Sequence, residues 1–129
     1  MLGRVGWRVG EQWTPLRRDL AARLPDPGVR IGLVGPQQAH LRAAVHQASF
    51  GSAEFTEDRW RGMADGLPYA HARGLVAFNT SGDAVAAAAV WSAGMGKPGV
   101  LEPLGVHSAH RGHGYGQAIR LLLRRCFRA

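Results

Sequence analysis

"LEPLGVHSAHRGHGYGQAI", residues 101–119, is the stretch whose reading decides the fold. It opens as an apolar strand, turns through Arg111-Gly112-His113-Gly114-Tyr115-Gly116 and continues as a helix. Glycine reaches positive φ without steric cost and lets a ligand come close to the backbone. Successive N–H groups in such a turn face one concavity, and the unpaired N–H groups of the first helical turn add to them. The combination suits a phosphate or pyrophosphate, with Arg111 placed to add a forked contact.

Other phosphate motifs fit poorly. A dinucleotide fingerprint has the spacing G-x-G-x-x-G in a parallel βαβ unit, with an acid about twenty residues on. Here the spacing is G-x-G-x-G. "GMGKPG", residues 94–99, has the Gly-Lys of a P-loop, but it lacks the earlier glycine in register and a Ser or Thr after Lys97.

Working backward from the turn, "VLEPLGV" (100–106) reads as a strand in which Pro103 marks a bulge or a gap in pairing. Before it, "LVAFNTSGDAVAAAAVWSAG" is a hairpin: two apolar runs, 75–78 and 84–92, flank the turn "NTSGD". Thr56-Glu-Asp-Arg has the pattern of an N-cap with acids in the first turn, so a short helix is predicted from about 57 to 65. "PQQAHLRAAVHQASF" (36–50) is helical, with Leu41, Ala44, Val45 and Ala48 as its apolar face. "VRIGLVG" (29–35) is a buried strand. After the turn, the last helix sends Ala118, Leu121, Leu122 and Cys126 toward the core. Residues 1–28 read as a helical N-terminal extension and linker, with Leu16, Leu20 and Leu24 at helical spacing. The order strand, helix, helix, three strands, helix predicts an α+β domain with an antiparallel meander over 29–129.

Composition bounds the rest. The chain has 129 residues, enough for one domain. No apolar run approaches a membrane span, and the first twenty residues mix charge and Trp too early for a secretory signal. One cysteine, Cys126, excludes an internal disulfide framework, so the chain reads as soluble and cytoplasmic. The net charge is +7, and Lys97 is the only lysine. The arginines are scattered, as in Arg17/Arg18, Arg59/Arg61 and Arg124/Arg125, which describes a solvated surface and argues against a nucleic-acid stripe.

"LGVHSAHRGHGYGQAI" resembles the acetyl-CoA-binding motif of the GNAT acetyltransferase superfamily, R/Q-x-x-G-x-G/A, with Arg111, Gly114 and Gly116 at its defining positions. Leu104-Gly105-Val106 matches the apolar strand end before the loop, and the resemblance covers about residues 29–129. It implies a mostly antiparallel sheet flanked by helices. It implies that acetyl-CoA is the co-substrate, its pyrophosphate on the amides of Arg111, Gly112, His113, Gly114, Tyr115 and Gly116 and its pantetheine arm along Leu104, Gly105 and Val106. It also implies direct transfer of the acetyl group to a small-molecule or peptide amine. Glu102 is the only acid between Asp83 and the end of the chain, and in this family an acid on that strand often takes the amine proton. A solvent-facing strand glutamate is the alternative, and strict alternation puts Glu102 on the face of Leu104 and Val106 unless Pro103 bulges.

His107 and His110 are weaker candidates for the base. With His113 they are spaced by three, but on a strand-to-loop segment they share no face, so no metal is expected. The resemblance places the acceptor between the first two helices and the ends of the meander, with Phe50, Phe55, Trp60, Tyr69 and Trp91 as candidate lining or core residues. The family's fold continues past this helix, so the chain reads as C-terminally incomplete, lacking the last strands and helix. Its 100–106 strand would then show an open edge. Two functions follow: an N-acetyltransferase, or a non-catalytic CoA-binding or interaction module that forms a homodimer.

Overall fold

Local chemistry sets the element boundaries in the computed structural model, which describes residues 2–19 and 25–122. Thr56 caps the second helix by accepting a hydrogen bond from the Arg59 N–H, with Glu57 and Asp58 in the first turn. Gly51 closes the first helix in the left-handed region at φ 63°, its N–H bonded to Gln47 O. The hairpin turn is tied by Asp83 N–H to Asn79 Oδ1 at 2.8 Å and by Asn79 N–H to Asp83 O at 3.0 Å. Gly82 supplies its positive φ.

The elements are β1 (Arg30–Leu33), α1 (Ala39–Phe50), α2 (Glu57–Ala64), β2 (Ala72–Phe78), β3 (Ala84–Ser92), β4 (Gly99–Val106) and α3 (Tyr115–Leu121). Short 3-10 turns precede α1 at Pro36–Gln38, follow α2 at Leu67–His71 and lie in the loop after β4 at Ser108–His110. The strands form one antiparallel sheet in the order β1-β2-β3-β4, so the class is α+β as expected. β2 begins at Ala72, three residues earlier than the apolar run suggested. Arg73 and Gly74 interrupt the hydrophobic pattern without interrupting the pairing.

Two cores cover the two faces of the sheet. Leu75, Ala77, Ala86, Ala88 and Val90 pack with Ile119 of α3 on one face. Val76 packs with Val34, Ala39 and Trp60 on the other, under α1 and α2. In α3 the deepest residue is Ile119, fully buried beside Ala118, while Leu121 and Leu122 are half-buried and Cys126 lies outside the described residues.

The phase of α1 differs from the sequence expectation. Its buried residues are Ala39, Arg42, Ala43, Val45 and Ser49, whereas Ala44 is exposed and Leu41 half-buried. The reason is volume. On the sheet face under α1 stand Ala87 and Gly105, and a Cβ on Gly105 would come within 2.7 Å of the Ser49 Cβ. Helix and strand meet there through their smallest residues, and that contact sets the rotation of the helix.

The N-terminal helix is not formed over its described part. A 3-10 turn spans Leu2–Val5, residues 7–19 are irregular, and Leu16 is 90% exposed. Leu20 and Leu24 lie outside the described residues.

Candidate functional site

β4 carries the site, and its register is broken where Pro103 removes an N–H donor. Leu101 pairs with Val90 and Leu104 with Ala88, so Glu102 and Pro103 together oppose Ala89, and the Glu102–Pro103 peptide is cis. This bulge overturns strict alternation. Leu101, Leu104 and Val106 share the α3-side core, while Glu102 stands in the bulge, off that face and exposed. Trp91 Nε1 donates to the Glu102 carbonyl at 2.8 Å and fixes the distortion. β4 is an outer strand of the sheet among the described residues.

The loop leaves β4 through His107, whose N–H bonds to Val85 O and whose Nδ1 accepts from the Ala109 N–H at 3.1 Å. Gly112 and Gly114 both take φ 82°, and Gly114 is the N-cap of α3. A Cβ built on either would meet no atom within 4 Å, so the space beside this backbone is open. Gly116 is different: a Cβ there would lie 3.3 Å from Val106 Cγ2, so the first turn of α3 packs closely against β4. The amides of Tyr115, Gly116 and Gln117 begin a helix and have no carbonyl one turn back to bond within it. Loop glycines, helix start and strand end thus form one continuous backbone surface.

Arg111 has a task within the chain. Its Nη2 donates to Ser49 O at 2.7 Å, tying the loop to the C-terminal end of α1. His113 Nδ1 lies 3.0 Å from Arg111 O, and its ring stacks on Tyr115 at 6.1 Å. His107 and His110 meet edge to face at 5.2 Å. Among the described residues no three His, Cys, Asp or Glu side chains are grouped to hold a metal ion.

The five aromatic side chains named from the sequence do gather on the α1–α2 side of the sheet. Trp60, Tyr69 and Trp91 form an edge-to-face series, with ring centroids 6.1 and 5.9 Å apart, leading from α2 to the bulge. Phe50 and Phe55 flank His46, at 4.7 and 4.4 Å. Trp60 is buried, whereas Phe50 is half exposed. An open cleft of about 450 Å³, lined by Leu33, Asp65, Tyr69 and Arg73 among others, shares no lining residue with the 111–116 loop. Sequence reasoning missed Arg42. It stands among the helix's polar positions in the sequence, but the residue is 2% exposed, with Nη1 3.2 Å from His46 Nδ1.

Known structures share this fold. An aminoglycoside antibiotic 6'-N-acetyltransferase from Acinetobacter baumannii superposes with a TM-score of 0.58 at 18% identity, over 78% of this chain and 72% of that one. A ribosomal-protein-alanine N-acetyltransferase from Brucella melitensis gives 0.58 at 22% identity, over 76% and 70%. A GNAT family acetyltransferase from the same species, solved with acetyl-CoA, gives 0.53 at 26% identity, over 76% and 68%. The chain has the GNAT acetyltransferase fold. No protein-family model and no curated protein matches the sequence. In this GNAT fold no helix among the described residues is long and apolar enough to cross a membrane.

Proposed function

We propose that the protein is an N-acetyltransferase that moves the acetyl group of acetyl-CoA to an amine by direct attack. The observation that carries this reading is the junction of β4 and α3. Two glycines in left-handed geometry, an open backbone surface and a helix start lie next to a bulged outer strand, in a fold shared with acetyltransferases. Acetyl-CoA supplies an activated acetyl group. The amides of residues 111–116 bind its pyrophosphate, and Arg111 holds their loop against α1. The backbone of Leu104, Gly105 and Val106 lines the pantetheine arm. Its donors orient the thioester, which lowers the entropic part of the barrier. Glu102, exposed in the bulge, accepts the proton of the attacking amine directly or through one water.

The test is release of CoA thiol from acetyl-CoA across a panel of small amines and peptide N-termini. Turnover is expected with at least one acceptor. Glu102→Gln is expected to lower kcat about 10²-fold or more, the usual scale for a general base, with little change in acetyl-CoA affinity. An unaltered rate in Glu102→Gln at every pH removes Glu102 as the base. Saturable acetyl-CoA binding with no turnover on any amine would favour the non-catalytic CoA-binding module.

A further inference from the structure

The inward face of α1 holds a charge that its surroundings do not balance. Arg42 is the one buried cation among the described residues. The ion pairs Arg59–Glu54 and Arg61–Glu57 lie at the surface, and no carboxylate among the described residues pairs with Arg42. It contacts His46 Nδ1 and the face of Phe55, 4.9 Å from the ring centroid. A guanidinium has five N–H donors and no acceptor, so His46 Nδ1 must accept and four donors remain. Burial pulls the guanidinium pKa down, with partial relief from Tyr69. His46 is held below its ordinary value by burial and by the Arg42 charge, so it adds no second cation at neutral pH.

Two more donors belong to the cluster that Phe55, the ring under Arg42, packs against. The Tyr69 hydroxyl and the Trp60 Nε1 are buried, and neither completes a hydrogen bond. The indole N–H, the Arg42 charge and the Gly74 backbone act on the hydroxyl and oppose the rise in pKa that burial causes, yet the indole N–H does not reach hydrogen-bond geometry with it. Gly74 makes room for this hydroxyl, because a Cβ there would sit 3.1 Å from it. Buried orphan donors of this kind are rare in folded proteins and call for an explanation. The cluster also borders the proposed reaction strand. His46 packs on Phe50, and Phe50 Cε2 comes within 3.0 Å of where a Cβ of Gly105 would be.

We infer that Arg42, assisted by the Tyr69 hydroxyl and the Trp60 indole N–H, binds a carboxylate of the acceptor, which makes the acceptor a carboxylate-bearing amine. The assignment to an acceptor rests on the acetyltransferase reading; the anion site itself does not. A carboxylate fits the charge balance. One buried cation neutralises a monoanion, whereas a phosphate dianion would leave a buried negative charge. A planar fork also matches a carboxylate in two parallel hydrogen bonds.

The experiment has a binding arm and a turnover arm. Propionate and propionamide are titrated into the full chain while the indole N–H resonance of Trp60, assigned with Trp60→Phe, is followed by NMR. Propionate is expected to move that resonance saturably and propionamide to leave it in place. Arg42→Met should abolish the effect. Arg42→Lys, which keeps the charge but not the fork, should weaken it about tenfold or more and serves if Arg42→Met does not fold. In turnover, β-alanine is expected to exceed β-alaninamide at least tenfold in kcat/KM, with the preference lost in Arg42→Met at unchanged acetyl-CoA affinity. The inference is overturned if propionate leaves the resonance still, if Arg42→Met responds like the wild type, or if inorganic phosphate binds more tightly than propionate. A carboxylate effect on Trp60 with no turnover of any amine would refute the acetyltransferase reading and sustain the anion site.

Discussion

At the scale of the residue, glycines that look alike in the sequence have different physical duties. Gly114 at φ 82° has open space beside it, so a side chain there strains only the backbone, by about 1–2 kcal/mol. Gly105 has ordinary strand pairing, but its Cβ position is occupied by Ser49 and Phe50. Gly114→Val is therefore expected to keep a cooperative fold and lose acetyl-CoA affinity. Gly105→Ala is expected to lower stability by about 1–3 kcal/mol through overpacking. Denaturant melts of both variants, with acetyl-CoA titrations, separate the two effects. His46 provides a pH signature. Its folded pKa lies below its ordinary value of 6.5, so the unfolded chain takes up the proton first as pH falls. Stability that is present above pH 6.5 should decline below it, and His46→Gln should flatten that decline in melts from pH 8 to pH 5. The glycines of the loop were legible as a group from the sequence. The duty of Gly105 was not, because it depends on a helix more than fifty residues earlier in the chain.

At the scale of the element, local signals read well. The "NTSGD" turn and the Thr56 cap operate within four residues, and the structure uses both as the pattern implied. Thr56→Ala should cost about 1 kcal/mol by removing one capping hydrogen bond, measured as a shift of the denaturation midpoint at constant m-value. Helix phase read badly. Leu41, Ala44, Val45 and Ala48 make a plausible apolar stripe, but of these only Val45 is buried, and α1 turns Ala39, Arg42, Ala43 and Ser49 inward with it. With alanine at four of its twelve positions, the hydrophobic pattern of α1 hardly distinguishes one rotation from another, and close contact with the sheet decides. The bulge in β4 lies between these cases. Pro103 announced it, but only the pairing with β3 showed that Glu102 leaves the face of Leu104 and Val106.

At the scale of the whole molecule, the proposed function has a thermodynamic consequence. A ligand that binds only the folded chain raises stability by mass action, about 2.7 kcal/mol at a hundredfold excess over Kd. Acetyl-CoA should therefore raise the unfolding midpoint of the 129-residue chain, and no shift at millimolar ligand would count against the loop as its site. Unfolding should also remain one transition, since the two cores share the same sheet. By itself the sequence determined the order of elements, the meander, and the glycine-rich loop between strand and helix. These are set by turn chemistry, capping and alternation, which act over a few neighbouring residues. Only the tertiary structure decided the rotation of α1, the burial of Arg42 without a carboxylate, and the tie from Arg111 to Ser49. Those depend on which volumes and charges meet across the sheet, and residues far apart in the chain supply them.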